Sequence, residues 1–270
     1  MPVNTQSKLL GGNLRRFYPL IVIVLLIARC EDLDRNNPLD PKNPNSQIDR
    51  ATLVEVFVND STGFEYCNYA LDAIEKLSQR EEFKTNFFVV QYHVTNRNAN
   101  WNDLYARDEF NQRYYEYVPI TSERGIPDAM FNGLQNRIQG ASLEKIEERY
   151  AAAAGALSGQ TSFFRIEATK KITGNVMSVN VDVARHGRSD AENIDVNVIL
   201  CEDLKQPRYR YVARKIFQKQ SLSIIKRGEI KSFIFAEQLP GVGKIDNLFA
   251  VILIQEQNAQ TKEILQAARF

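Results

Sequence analysis

An α/β domain followed by an all-β sandwich, behind an N-terminal signal and a tether, is the fold class this sequence predicts. Three observations predict it. Residues 54–58 form a short apolar run that breaks at Asn59-Asp60-Ser61-Thr62-Gly63, and Ala70, Ala73, Ile74 and Leu77 then follow at helical spacing. From Ser162 onward the apolar period changes to two, as where Met177, Val179, Val181 and Val183 alternate with Ser178, Asn180 and Asp182. Ahead of residue 50 no stretch has the pattern of a packed core.

That N-terminal part reads as an export leader. Lys8, Arg15 and Arg16 precede an unbroken apolar run at 17–28, and no acid occurs before Glu31. Twelve residues are too few to span a hydrocarbon layer of roughly 30 Å, which needs about 20. A basic segment followed by a short apolar one is the pattern of a signal peptide, here 1–29. Cys30 directly after the run resembles a bacterial lipobox, whose cysteine becomes lipid-bearing after cleavage; Arg29 departs from the small residue that pattern prefers. Lipidation at Cys30 would hold the chain on a membrane surface without spanning it; an uncleaved anchor and simple secretion are the alternatives. With residues 1–29 go Lys8, Arg15, Arg16 and Arg29, which takes Lys+Arg from 34 to 30 against 33 Asp+Glu. A near-neutral balance argues against a general nucleic-acid binder. Residues 30–50 carry Pro38, Pro41 and Pro44 among Asn and Asp, and read as a disordered tether.

The first domain is expected over 51–158. After the opening strand and helix, Asn86 to Thr95 is rich in β-branched and aromatic residues, as in a buried strand. Asn102 or Asp103 is placed to cap a second helix running to about Tyr117, and Ser142 a third from Leu143 to about Ala154. Between them Gly125-Ile126-Pro127 leads into a short strand ending at Asn132-Gly133. Two strands separated by helices imply parallel pairing through right-handed crossovers. This order resembles a thioredoxin-like fold, which keeps a cis proline at the place of Pro127. It also usually carries two cysteines two residues apart at the first turn. Here Cys67 stands alone.

The second domain, 159–270, holds about seven strand candidates: 163–169, 177–183, 194–200, 209–218, 230–237, 248–255 and a short 262–267. Short strands at this spacing without helical segments read as an immunoglobulin-like sandwich. The run 248–254 is apolar on both faces, so it is expected to be central or to lie against the first domain.

Taken together the pieces resemble the bacterial outer-membrane lipoprotein family typified by the twenty-eight-kilodalton outer-membrane protein. The resembling motifs are Val54-Glu55-Val56-Phe57 running into Thr62-Gly63, Gln91-Tyr92-His93 with Trp101, Arg113 to Tyr115, and Gly125-Ile126-Pro127 with Phe131-Asn132-Gly133. Ile254-Gln255-Glu256 and the stretch from Thr261 to Ala267 close the set. The resemblance implies an outer-membrane lipoprotein with an envelope protein partner. Cys67 most resembles the second cysteine of the family's dithiol, and the first is missing.

Each candidate for chemistry has a plainer reading beside it. At a helix start Cys67 would have a favoured thiolate, and opposite Pro127 it could form mixed disulfides as a monothiol oxidoreductase or peroxidase-like centre. Without a resolving thiol it cannot complete intramolecular exchange, so a buried apolar cysteine is the favoured reading. Cys201 is expected to be a separate thiol. His93 and His186 are the only histidines and fall in different expected domains, so neither a metal site nor a cofactor is expected. The stretch 205–231 is strongly basic, with Arg208, Arg210 and Arg214 expected on one strand face. It reads either as a binding ribbon for lipid phosphates or an acidic partner, or as a solvated face guarding an edge strand. The function these readings support is a lipid-anchored, non-catalytic envelope module.

Overall fold

The computed structural model describes residues 37, 40–43, 45–61, 63–95, 101, 103–241, 243–257 and 260–270. The leader 1–29, Arg29 and Cys30 lie outside the described residues, as does the candidate cap Asn102. Asn37–Phe270 forms one compact unit.

The first strands are β1 (Ile48–Asp49) and β2 (Thr52–Val58). Every residue of β2 is buried, which is why its sequence is an apolar run without alternation. Helix α1 (Glu65–Ser78) turns Cys67, Ala70, Leu71, Ile74 and Leu77 inward at three- and four-residue steps. Strand β3 (Phe87–His93) pairs with β2 in parallel, from Thr52 opposite Phe87 to Val58 opposite His93. Helix α2 (Asp108–Tyr117) begins later than its candidate cap Asp103, because the Asp103 carboxylate is taken by His93 and by the backbone N–H groups of Asp60 and Tyr105. Strands β4 (Asp128–Phe131) and β5 (Asn136–Gln139) form an antiparallel pair beside β2, and α3 (Ile146–Leu157) follows. The Ile126–Pro127 peptide is cis.

The rest is strand: β6 (Thr161–Ser162), β7 (Phe164–Thr173), β8 (Val176–Arg185), β9 (Ala191–Glu202), β10 (Val212–Ile216), β11 (Gln220–Ile225), β12 (Ile230–Gln238), β13 (Leu248–Glu256) and β14 (Ile264–Arg269). Among them β11 has no counterpart in the sequence reading, since Gln220-Ser221-Leu222-Ser223 sits inside the basic stretch and carries a weak apolar pattern.

The pairing of these strands corrects the expected fold class. A thioredoxin-like α/β domain followed by an immunoglobulin-like sandwich would give two separate sheets systems, each closed on its own core. Instead β14-β13-β9-β10-β3-β2-β4-β5 run as one continuous sheet, with β11 added on β9. The junction is β10, which lies parallel to β3 with Val212 opposite Gln91, and the Gln91 N–H donates to the Tyr211 carbonyl at 2.9 Å. A three-stranded sheet, β12-β8-β7, and the pair β1-β6 complete the molecule. Of the described residues 42% are strand and 20% helix, so this is a β-rich fold of several sheets. The edge of β3 needed a partner, and periodicity in one dimension does not say which strand supplies it.

The tether expected over 30–50 is also corrected in its described part. Asn43, Ser46 and Arg50 are buried. Ile48 pairs with Ser162, the Ser46 hydroxyl bonds His186 Nδ1 at 2.7 Å, and Arg50 meets Glu263 at 2.7 Å. A segment too polar to build a core still docks where another surface offers backbone and polar partners.

Three apolar clusters result. One lies under α1 and α3 against β2, β3 and β4. The second packs α2 on the opposite face of those strands, together with Phe249, Val251 and Leu253. The third fills the space between the three-stranded sheet and β9, β11 and β13, using Leu248, Ala250, Ile252 and Ile254. Strand β13 therefore feeds a core on each side, as its unbroken apolar sequence implies.

Candidate functional site

Two of the sequence candidates, Cys67 and His93, lie near the ends of β2 and β3, where parallel strands leave their carboxyl edges beside the start of α1. Val58 leads to Asn59, whose side-chain amide donates to the Val94 carbonyl at 2.7 Å and whose Oδ1 accepts from the Ser61 N–H at 2.8 Å. These two bonds hold the turn tight against β3. Phe64 precedes α1 without a side-chain cap, and the Cys67 N–H bonds the Phe64 carbonyl at 2.9 Å.

Cys67 is 1% exposed. Burial pushes its thiol up to about 12, and Asp103 and Asp60 act in the same direction, against one hydrogen bond from the Asn59 backbone. The favourable field of a helix start is thus outweighed by desolvation and by two carboxylates. Pro127 is buried as well, and Ile126 packs against the cluster that holds Cys67. Cys201 is a second buried free thiol, raised by burial.

His93 is fully buried on the neighbouring strand end. Its Nδ1 meets Asp103 Oδ2 at 2.7 Å, and its Nε2 meets the Gln91 amide nitrogen at 2.8 Å. Tyr209 stacks on the ring at 6.2 Å, and Tyr105 stands edge-on at 5.2 Å. Burial works against the Asp103 charge, but the hydrogen bonds from His93, Tyr105 and Asp60 prevail and hold its carboxyl below the usual range. With both ring nitrogens engaged, His93 is a fixed post for the loop rather than a base aimed at the thiol. No hydrogen bond joins it to Cys67 among the described residues. No grouping of His, Cys, Asp or Glu among those residues is placed to hold a metal ion.

The basic stretch is dispersed. Arg208 sits in a loop, with a positive φ of 69°, and grips Asp72 of α1 at 2.5 and 2.7 Å. Arg210 bonds Glu75 one turn along the same helix at 3.0 Å. Arg214 is buried, 3.4 Å from Glu202, and donates to the Gly241 carbonyl. The three therefore share no strand face, which corrects the ribbon reading: the strand begins only at Val212, and each guanidinium is neutralised within the chain. Arg208 and Arg210 tie the 203–211 loop to α1, and Arg214 ties β10 to Glu202 and to the Gly241 carbonyl.

A heavily bonded polar group was hidden inside an apolar run. Glu55 of β2, fully buried, accepts from Arg113 Nε and Nη2 at 3.0 Å each, from the Tyr92 hydroxyl at 3.0 Å and from the Tyr117 hydroxyl. Arg113 also donates to Gln255 of β13 at 2.8 Å, and Gln255 donates to Tyr117 and to the Lys262 carbonyl. Burial opposes the Arg113 charge, yet Glu55 beside it drives its pKa well above the usual value. A carboxylate in a two-sided strand needs such a partner. That need was the one available signal, and nothing in the spacing names Arg113.

No family model matches the chain, and no curated protein matches it. Among solved structures it is similar to HBP35 of Porphyromonas gingivalis, at 12% identity and a TM-score of 0.61, over 83% of this chain and 75% of that one. At that identity the likeness concerns the fold alone. A β-glucosidase from Kluyveromyces marxianus (16% identity, TM-score 0.27, 42% of this chain and 14% of that one) shares too little to carry an argument. The same holds for the Pseudomonas fluorescens alkylpurine DNA glycosylase AlkC (11%, 0.29, 47% and 36%). No helix among the described residues is long and apolar enough to cross a membrane.

Proposed function

We propose that this chain is an envelope protein, exported and lipid-anchored through Cys30, whose compact body serves as a binding or structural module rather than a thiol enzyme. The observation that carries the second half is the state of Cys67: 1% exposed, with its thiol pushed up to about 12. A redox centre needs an accessible thiolate. The leader and Cys30 support the first half, as does the resemblance to the outer-membrane lipoprotein family; the outer membrane is the location it favours.

Alkylation of the full chain carrying Cys30→Ser and Cys201→Ser tests the body. Cys67 should label slowly from pH 6 to 9 and quickly only in denaturant. Fast native labelling with an apparent pKa near 7 would overturn the reading in favour of monothiol chemistry. For the anchor, metabolic labelling with a fatty acid should mark the wild-type chain in a bacterial host and leave Cys30→Ala unmarked. Equal labelling of both would remove Cys30 from the scheme.

A further inference from the structure

Strand β12 is the outer strand of the sheet β12-β8-β7, and its inner edge is fixed by antiparallel pairing with β8. The Arg185 N–H donates to the Glu229 carbonyl, and the Leu239 N–H to the Asn175 carbonyl. Hydrogen-bonded partners alternate along such a ladder. The odd-numbered residues of β12 therefore bond to β8, and Ile230, Ser232, Ile234, Ala236 and Gln238 turn their N–H and C=O groups outward. The Gln220 amide, which donates to the Ile234 carbonyl at 3.0 Å, marks that outward direction.

Among the described residues this edge is protected only by the Gln220 amide on the Ile234 carbonyl and by the charges of Lys231 and Glu237. It is nine residues long, contains no proline, and exposes Ile234 by 70% and Ile230 by 55%. Edges of that length and character pair with other strands unless they are blunted. The sequence of the strand, Ile-Lys-Ser-Phe-Ile-Phe-Ala-Glu-Gln, says which strand fits. Turned antiparallel on itself about Ile234, it sets Lys231 opposite Glu237 twice, Phe233 opposite Phe235 twice and Ile234 opposite Ile234. Moving the centre to Phe233 would oppose Glu229 to Glu237, and moving it to Phe235 would oppose Phe233 to Glu237. Glu237 makes no ion pair among the described residues, while Lys231 holds only Glu229, at 2.7 Å. Lys231 and Glu237 lie in the half-exposed inner row of the strand, and across a new ladder they would fall at non-hydrogen-bonded positions, where cross-strand side chains come closest.

We infer that β12 is a self-complementary docking edge that joins two copies of this chain about a two-fold axis at Ile234, making one six-stranded sheet from two three-stranded ones. Such an isologous contact closes on itself and so stops at the dimer. The Gln220 amide leaves the second lone pair of the Ile234 carbonyl for the incoming N–H. Concentration on a membrane surface would favour the pairing further.

Sedimentation equilibrium of the full chain in mild detergent reads the mass of the protein component. The wild-type chain should show twice the chain mass. Lys231→Glu and Glu237→Lys should each weaken association by about tenfold or more, because each makes both symmetric pairs like-charged. The doubly exchanged chain, Lys231→Glu with Glu237→Lys, should recover it. Ile234→Pro removes an outward N–H without touching the β8 ladder, a position where an edge strand tolerates proline, and should leave a folded monomer by circular dichroism. Association through the apolar leader would be the same in every variant. A monomer at all concentrations, or a dimer indifferent to these four variants, would overturn the inference.

Discussion

At the scale of the residue, burial decides what each polar group can do. Glu55, Arg113, Tyr117 and Gln255 form one buried set in which Arg113 is the cation paired with Glu55, while Arg113 also reaches the exposed Glu116 at 3.5 Å. Removing one of two buried charges costs about 3–5 kcal/mol, since the other is left uncompensated. Arg113→Met should therefore lower the urea midpoint sharply, while Glu55→Leu with Arg113→Met should regain much of the loss. A midpoint unchanged by the single substitution would mean that water reaches Glu55. Little of this was legible in the sequence. Cys67 could be placed at a helix start because the turn and the apolar spacing around it are local. Its accessibility could not, because the cluster that buries it draws on residues distant in the chain, such as Tyr150, and because Asp103 comes from another loop. Arg208 and Arg210 looked like part of a free cationic ribbon for a similar reason: Asp72 and Glu75 are distant in the chain and near in space.

At the scale of the element, the docked segment before β2 shows how a polar stretch is kept in place. Its latch is the Ser46 hydroxyl on His186 Nδ1, while His186 Nε2 is buried without a hydrogen-bond partner among the described residues. Burial, and then the positive charges of Arg165 and Arg185, hold the His186 ring below its ordinary 6.5, with Asp40 opposing. The folded chain thus prefers the neutral ring while the unfolded chain takes up a proton. The contribution is complete above about pH 6.5 and is lost progressively as pH falls from there through the lower folded value. Urea unfolding between about pH 7 and 5 should show stability declining in the wild-type chain and a flatter profile in His186→Phe. Identical slopes would show that the latch does not titrate. Helices and strands were read well where one face met a core, as in α1 and β8. The start of α2 was missed because its candidate cap, Asp103, serves the histidine instead. Strand β11 was missed because its alternation is shallow.

At the scale of the whole molecule, the sequence shows two kinds of periodicity but not that one sheet carries both. The joint at Val212 and Gln91 links strands more than a hundred residues apart, beyond the reach of any local pattern. The unbroken apolar run of β13 was the one legible clue, since a strand hydrophobic on both faces must have a core on both. Truncation after Lys244 removes β13 and β14 and opens two of the three clusters. It should abolish the cooperative thermal transition seen by circular dichroism, whereas a sharp transition at the wild-type temperature would mean that the cluster under α1 and α3 stands alone. The position of β13 also sets a timetable. It comes late among the described strands, so a polypeptide emerging N-terminus first keeps two cores unfinished until residues 248–269 appear. For a protein exported as proposed, that delay is useful: the chain stays threadable for as long as it must pass through a narrow channel, and becomes a closed body only once the passage is over.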